Sequence, residues 1–483
     1  MSSYDAIIVG SGPNGLSAAL RLQEENKRVL VLERSGDVGG GLRTDEITLP
    51  GFHHDRCASI LPMAFASPYL QTLPLDDHGL EWVRRPRSFG HPLDDGEAIS
   101  CERSVEETIA GLDDCDADAY RSLFGFLEKN FHDIIKDSMG PFGFPSNPLT
   151  MARFGRSAVR SAGGFAKGHF RGERARALFS GCAAHSILPF DAPLSAAIGL
   201  MLQGAAHAVG WPFPKGGAAS LSGALERLFV ERGGEIQCDV EVNEVQSLPT
   251  NGPILFDTSP RTLIRACGKE LSSSYRRRLE RFVYGPGIFK VDWALSAPIP
   301  WSDIRLLETA TVHVGGTLDE IALSERAAWP TPPEKGGSDS PEIFTKPFVL
   351  LTQPSLFDDT RAPAGKHTAW AYVHVPNGDS RDRSKIIESQ VERFAPGFSD
   401  VILEKKTTSA AELEAYNPNY VGGDIGGGAV SWNQLFTRPV AKISPYETDN
   451  PRIYLCSSST PPGGGVHGMC GFYAAQAALR RWS

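Results

Sequence analysis

Three glycines near the amino terminus have the spacing of a turn that binds the phosphates of a dinucleotide. Gly10, Gly12 and Gly15 fit the pattern GxGxxG. One glycine of such a turn permits the sharp bend, one lets the backbone approach a pyrophosphate, and one allows a helix to pack closely on a strand. Glu33 follows at the distance where a carboxylate would accept hydrogen bonds from ribose hydroxyl groups and would disfavour a 2′-phosphate. The spacing therefore predicts a dinucleotide site.

The residues around these glycines predict the elements that such a site requires. Residues 4–9 form a short apolar run, residues 16–23 have the apolar spacing of a helix, and residues 28–32 form a second apolar run that ends at Glu33. This order predicts a strand, a helix and a second strand, with the amino end of the helix facing the phosphates.

The carboxyl-terminal part of the chain repeats this logic. Residues 452–456 predict a strand, residues 457–465 a turn rich in glycine and proline, and residues 468–480 an alanine-rich helix. A second helix amino terminus is thereby expected beside the bound group. Two interpretations of His467, at the start of this helix, are open: a proton donor, or a residue that fills space.

A second glycine cluster follows the ribose carboxylate. Glu33-Arg34 leads to Gly39-Gly40-Gly41 and then to Leu42-Arg43. With this cluster and the segment TPPGGGVHG at 460–468, the chain resembles the phytoene desaturase and flavin amine oxidase superfamily, in the branch of phytoene-desaturase-like and pyridine nucleotide-disulfide oxidoreductase-domain proteins. The resemblance implies FAD as the cofactor, held at three separated places.

The third place lies within residues 235–245, which predict a strand. Residues 242–245 resemble the family's adenine-contacting segment, in which Val242 would use its backbone. The family's arginine after the glycine pair is replaced by Gly41, and Arg43 is expected to take its place. Ser457 and Pro461 stand where the family has glycine and histidine. The cofactor-binding residues that the resemblance implies are Gly10, Gly12, Pro13, Asn14, Gly15, Glu33, Arg34, Gly39, Gly40, Gly41, Leu42, Arg43, Val242, Ser458, Gly465, Val466 and His467.

We therefore expect an α/β fold: a Rossmann-type FAD-binding domain with an inserted α+β substrate-binding domain. The FAD-binding domain is expected to be discontinuous and to comprise residues 1–70, 213–270 and 440–483. Residues 71–212 and 271–439 are expected to form the substrate-binding domain.

The implied activity is that of an FAD-dependent dehydrogenase, desaturase or isomerase, in which flavin N5 accepts a hydride from an apolar, carotenoid- or polyene-like small molecule. The chain has no redox cysteine pair and no second strand-anchored GxGxxG, so oxygen or a quinone is the expected electron acceptor. The first catalytic candidates are His467 and Lys215. Lys290 or Asp292 is a further candidate.

Two alternatives stay open. A flavin amine oxidase using oxygen would place paired aromatic side chains at the flavin, for which Trp432, Tyr446 and Tyr473 are candidates. An FAD-binding scaffold or chaperone without turnover is compatible with the departures from the family pattern.

Composition and charge narrow the range of partners. The formal net charge is -9, which argues against nucleic-acid binding. The eight cysteines are scattered without a CxxC pair, so neither a zinc site nor any other metal site is predicted. No secretory signal is recognisable, and a cytoplasmic location is expected. The oligomeric state is not indicated.

One segment, residues 151–176, is strongly basic and carries interspersed phenylalanines. Such a segment favours the hypothesis of peripheral contact with an anionic membrane. The competing interpretation is a basic face that packs on the acidic remainder of the protein.

Overall fold

The computed structural model describes residues 4–141, 143–329, 345–435 and 437–482. Its strands in chain order are β1 Ala6–Val9, β2 Val29–Leu32, β3 Thr44–Glu46, β4 His53–Asp55, β5 Trp82–Val83, β6 Arg87–Pro92, β7 Ala98–Glu102, β8 Phe213–Pro214, β9 Glu235–Gln237, β10 Ile254–Phe256, β11 Gly287–Leu295, β12 Thr309–Val314, β13 Val349–Thr352, β14 His367–Val375, β15 Ile402–Thr408 and β16 Ile453–Leu455.

The α-helices connect and cover these strands. In chain order they are α1 Pro13–Gln23, α2 Pro62–Phe65, α3 Val105–Ile109, α4 Ala117–Ser138, α5 Pro148–Ala158, α6 Ala162–His169, α7 Glu173–Ala184, α8 Ser195–Ala208, α9 Ala219–Glu231, α10 Pro260–Cys267, α11 Ser273–Leu279, α12 Leu318–Ala327, α13 Ser384–Glu392, α14 Ala410–Tyr416, α15 Trp432–Leu435 and α16 Met469–Trp482.

A five-stranded parallel sheet forms one half of the fold, in the strand order β16-β10-β1-β2-β9. Every residue of β1 and β2 is buried, as expected for parallel strands that are covered on both faces. Its strands come from residues 1–70, 213–270 and 440–483. The carboxyl ends of parallel strands meet at one edge, so the turns after β1, β10 and β16 are brought together there.

A seven-stranded mixed sheet forms the other half, in the order β15-β11-β14-β13-β12-β6-β7. The pair β12–β6 is parallel and the other pairs are antiparallel. One face packs against α7 and α8, and the opposite face packs against α13. All nine residues of β11 are therefore buried.

One predicted strand is much shorter than the pattern indicated. The run expected over residues 235–245 ends at Gln237, because Asp239 turns the chain with a φ of +59°. The backbone N–H of Val240 then donates to the carbonyl oxygen of Glu33 at 2.8 Å. Val242 consequently lies beyond β9, in a segment without regular structure.

The basic segment 151–176 comprises most of α5, all of α6 and the first turn of α7. Its phenylalanines Phe154, Phe165 and Phe170 are buried in the core. Lys167 pairs with Asp319 at 2.8 Å, and Arg174 pairs with Glu97 at 2.5 Å. Of the described helices, none combines the length and the apolar character that crossing a membrane requires.

Candidate cofactor and substrate cavity

The turn after β1 is held open by glycines whose neighbours leave no room for a side chain. A methyl group on Gly12 would lie 2.5 Å from Asp257 Oδ2, and one on Gly15 would overlap the carbonyl oxygen of Gly10. Gly10 itself has a φ of +101°, a left-handed conformation that glycine adopts without strain. Backbone and the amino end of α1 therefore form the wall of the cavity here.

Glu33 ends β2 with a buried carboxylate whose position is fixed by the glycine turn. Its Oε2 accepts hydrogen bonds from the Ser11 backbone N–H at 2.9 Å and from Ser11 Oγ at 2.7 Å. Its Oε1 accepts from the Ser35 backbone N–H at 2.9 Å and lies 3.4 Å from Arg43. The carboxylate is thus oriented before any ligand arrives.

Residue 41, in the second glycine cluster, is a glycine where the family has an arginine, and the structure shows why. A side chain on Gly41 would overlap the Tyr420 hydroxyl, so an arginine does not fit. Arg43 instead lies against the cavity, with its guanidinium 5.9 Å from the ring centre of Tyr416 and within reach of Glu33.

His467 precedes α16 and lines the cavity, but both of its ring nitrogens are engaged by backbone. Nδ1 accepts from the Met469 backbone N–H at 3.1 Å, and Nε2 donates to the carbonyl oxygen of Gly463 at 3.2 Å. Burial lowers the pKa of this imidazole to about 4. His467 is therefore neutral near pH 7 and caps the helix.

These turns border a single cavity of about 580 Å³. Of the predicted cofactor-binding residues, Gly15 and Gly39 lie behind the wall, where they shape the turns. The others line the cavity: Gly10, Gly12, Pro13, Asn14, Glu33, Arg34, Gly40, Gly41, Leu42, Arg43, Val242, Ser458, Gly465, Val466 and His467.

Several residues that line the cavity are not indicated by the sequence patterns. Asp257 follows β10 and lies at the same sheet edge as Gly10. The segments 416–420 and 424–430, which are distant in sequence from both, also line the cavity. The glycines at 426–428 carry the chain over the carboxyl-terminal turn, where a side chain on Gly427 would overlap Ser458. The strand order alone would have indicated Asp257, since the carboxyl ends of parallel strands converge.

Asp257 is unusual because it brings a carboxyl group to a site suited to phosphates. Its Oδ2 accepts the Gly15 backbone N–H at 2.8 Å. Burial raises the pKa of this carboxyl from 3.8 to about 7. Much of the population is therefore uncharged at neutral pH, which reduces repulsion towards an anionic ligand.

The remainder of the cavity is bordered by α8 and by the seven-stranded sheet. Helix α8 contributes Ala197, Ile198, Met201 and Leu202 to this wall. The sheet and its surroundings contribute Leu350, Thr311, Trp370 and Tyr372, and His185 and Trp211 complete it. Trp370 and Tyr372 lie parallel, with ring centres 5.9 Å apart and an interplanar angle of 10°.

The structure does not bring Lys215 to this cavity. Its side chain is exposed and pairs with Glu81 at 3.1 Å, just after β8, which pairs with β5. Lys290 and Asp292 form a buried ion pair on β11, with His54 Nδ1 3.5 Å from the Asp292 carboxylate. Neither member of this pair lines the cavity.

The aromatic candidates for an amine oxidase site also lie elsewhere. Trp432 is half exposed. Tyr446 donates its hydroxyl to the carbonyl oxygen of Pro461 at 3.1 Å and stacks on Tyr473, and neither ring lines the cavity. Trp370 and Tyr372 occupy the cavity wall in their place.

Comparison with known proteins supports the nucleotide half independently. The family model of the NAD(P)-binding Rossmann-like domain matches residues 8–73, which run from the end of β1 through α1, β2 and both glycine turns.

Two curated relatives extend the likeness along the chain. The rat pyridine nucleotide-disulfide oxidoreductase domain-containing protein 2 is 26% identical over 99% of this chain and 93% of its own length. The phytoene dehydrogenase of Streptomyces griseus is 27% identical over 85% of this chain and 82% of its own length.

Among solved structures, a putrescine oxidase bound to putrescine superposes with a TM-score of 0.61 at 16% identity, covering 99% of this chain and 98% of the other. The expected α/β fold with a Rossmann-type domain is confirmed.

Proposed function

We propose that this chain, an oxidoreductase that resembles phytoene desaturases and flavin amine oxidases, binds FAD and acts as a dehydrogenase, desaturase or isomerase on an apolar, carotenoid- or polyene-like substrate. The observation that carries the proposal is the single cavity in which two glycine turns meet an apolar wall. The name of the Streptomyces griseus relative, phytoene dehydrogenase, points to the same chemistry.

The residues present fit FAD. Gly12, Gly40 and Gly465 line the cavity with bare backbone, so a pyrophosphate can approach amide groups directly. The Oδ1 atom of Asn14 is buried without a hydrogen-bond partner, an indication that a ligand group completes its contacts. Glu33 would bind the ribose, and Val242 would contact the adenine through its backbone.

Bound FAD would supply the oxidising group, a flavin whose N5 accepts a hydride. The chain's own residues position the substrate and exclude water. Ile198, Met201 and Leu202 of α8 would hold an apolar chain against the sheet. We assign His467 to the start of α16, where it keeps backbone amides aligned towards the cofactor, and we infer that oxygen or a quinone reoxidises the flavin.

A second candidate, an amine oxidase using oxygen, is favoured by the parallel rings of Trp370 and Tyr372 on the cavity wall. An electron-rich aromatic pair attracts a cationic or amine substrate. A scaffold without turnover is the third candidate.

The purified protein tests the three candidates by absorbance. We expect a yellow protein with bound FAD whose colour bleaches when a polyene is added without oxygen. Bleaching by amines but not by polyenes would replace the leading candidate with an amine oxidase. A flavin that neither class of compound reduces would support the scaffold.

Two further proposals concern the domain boundaries and contact with a membrane. We infer that residues 1–70, 213–270 and 440–483 form the FAD-binding domain and that residues 71–212 and 271–439 form the substrate-binding domain. We also infer peripheral membrane contact near the basic segment, where Leu149 is 85% exposed and the neighbouring Phe144 is 92% exposed. Co-sedimentation with anionic liposomes tests this contact, and the absence of binding would contradict it.

A further inference from the structure

Two histidines form a direct pair at the wall of the apolar half of the cavity. The Nε2 atoms of His185 and His313 are 2.9 Å apart. His313 is fully buried on β12, whereas His185 lines the cavity and keeps accessible surface. Burial, with His374 nearby, lowers the pKa of His185 to about 3. Both rings are therefore neutral near pH 7, since burial also holds the pKa of His313 well below its usual range.

The surroundings of His313 fix which ring donates. Its Nδ1 is buried without a partner and packs against Gly181 of α7, where a methyl group would lie only 2.5 Å away. A buried N–H without an acceptor is costly, so the proton belongs on Nε2 of His313, which donates to His185. His185 then carries its own proton on Nδ1. This leaves a hydrogen-bond donor on the residue that faces the cavity.

Two hydroxyl groups share this wall. Thr311 and Tyr372 both line the cavity, so each brings a hydroxyl group to this wall. Thr311 is two residues from His313 on β12, and Tyr372 pairs with Leu350, which pairs in turn with His313. The three polar groups therefore belong to one patch of the sheet face. Burial raises the pKa of Tyr372, so its hydroxyl stays a neutral donor.

The patch carries no positive charge that could balance an anion. In the described part of the chain, neither lysine nor arginine lines this half of the cavity. The nearby Lys290 forms an ion pair with Asp292. His374 Nδ1 lies 2.9 Å from the Glu325 carboxylate. A carboxylate bound here would be buried without a counter-charge, at a large free-energy cost. A neutral oxygen avoids that cost.

We propose that His185, Thr311 and Tyr372 bind a neutral oxygen, an aldehyde, ketone or alcohol, at one end of an otherwise apolar substrate. The substrate class is thus an oxygenated polyene or isoprenoid, rather than a pure hydrocarbon. This inference rests on the proposed function, since it specifies what the apolar half of the same cavity receives. An apolar wall that carries three polar side chains is suited to such a molecule, because a hydrocarbon offers these side chains no oxygen to bind.

Three isoprenoids of equal chain length test the inference: farnesal, farnesol and the hydrocarbon farnesene. Their dissociation constants are measured on the protein as purified, from the quenching of tryptophan fluorescence, because Trp211 and Trp370 line the cavity. This readout needs no flavin. A colourless protein would contradict FAD binding and would leave the titration intact as a test of the oxygen site.

We expect farnesal and farnesol to bind at least about tenfold more tightly than farnesene, since several hydrogen bonds are gained. T311V and Y372F should each weaken binding of the oxygenated probes by about threefold to tenfold, leave farnesene unchanged, and together remove most of the preference. H185F should act in the same direction. T368V is the matched control, because Thr368 has a buried hydroxyl without a hydrogen-bond partner but lies outside the cavity lining.

Three results would overturn the proposal. Equal affinity for farnesene and farnesal would show that the polar patch contributes nothing. Equal weakening of all three probes by T311V and Y372F would show that these side chains act through shape. Failure of the oxygenated probes to bind would remove the substrate class.

Discussion

The two halves of the cavity are built in different ways. The nucleotide half uses backbone: glycines bring amide groups to the surface, and local hydrogen bonds such as those from Ser11 to Glu33 fix the geometry. The substrate half uses side chains on a sheet and on α8, contributed by strands that are distant in sequence. The first half is thus specified by short motifs, and the second by the packing of the whole fold.

The largest expected effect is a loss of stability when a buried ion pair in the sheet of the substrate half is broken. K290M removes the ammonium group that neutralises Asp292 and leaves its buried carboxylate without a counter-charge, since burial lowers the pKa of the neighbouring His54 to about 3. We expect the free energy of unfolding in urea to fall by about 3–5 kcal/mol. The double variant K290M/D292N should recover most of the loss. A loss below about 1 kcal/mol would mean that this pair does not stabilise the sheet.

Next in size is a change confined to the nucleotide half. G12V places a side chain between the backbone and the cofactor, close to Asp257. We expect FAD affinity to fall at least about 100-fold, equivalent to about 2.7 kcal/mol, while tryptophan quenching by farnesal is retained. G125V in α4 is the control, since nothing lies within 4 Å of that position. Equal loss of farnesal binding would show that the two halves are not independent.

A pH-dependent effect should follow from Asp257. Its folded-state pKa of about 7 lies above the ordinary value of 3.8, so its contribution to stability is full below about pH 4 and is lost as the pH rises towards 7. The ionised carboxylate should also repel the FAD phosphates. The dissociation constant of FAD should therefore rise by up to about tenfold per pH unit above 7.

D257N removes this titration, and its FAD affinity should be flat over the same range. D5N, at the surface pair with Arg28, should keep the pH dependence of the unaltered protein. An unchanged slope in D257N would assign the titration to another group.

The smallest effect is expected outside both halves. K215A removes an exposed ion pair with Glu81. Exposed pairs contribute little, so the rate of anaerobic flavin reduction should change by less than about twofold. A large loss of rate would restore Lys215 as a catalytic candidate and would require the surface around β8 to move towards the cavity.

The sequence predicted the nucleotide half because its signals are local. Gly10, Gly12 and Glu33 act through neighbours within one βαβ unit, and the periodicity of residues 4–32 is sufficient to place them. Val242 was placed on a strand that the turn at Asp239 interrupts, since the left-handed conformation of an aspartate leaves no pattern in the apolar residues.

The substrate half could not be predicted in the same way. Thr311 on β12 and Tyr372 on β14 share one sheet face because β13 pairs with both of their strands. His185 comes from the end of α7. Lys215 is kept from the cavity by the pairing of β8 with β5, which the sequence pattern does not reveal. Strand order and register, rather than residue type, decide which of these side chains line a cavity.

The position of β16 and α16 has a consequence for how the protein is made. Gly471 of α16 packs so closely on α1 that a side chain there would overlap the carbonyl oxygen of Asn14, and β16 pairs with β10. During synthesis on the ribosome, β10 therefore has an unpaired edge until residues 453–455 emerge, and such an edge is prone to aggregation. Ser458, Gly465 and His467 line the cavity, so the cavity is complete only after this carboxyl-terminal segment has joined the parallel sheet and α1.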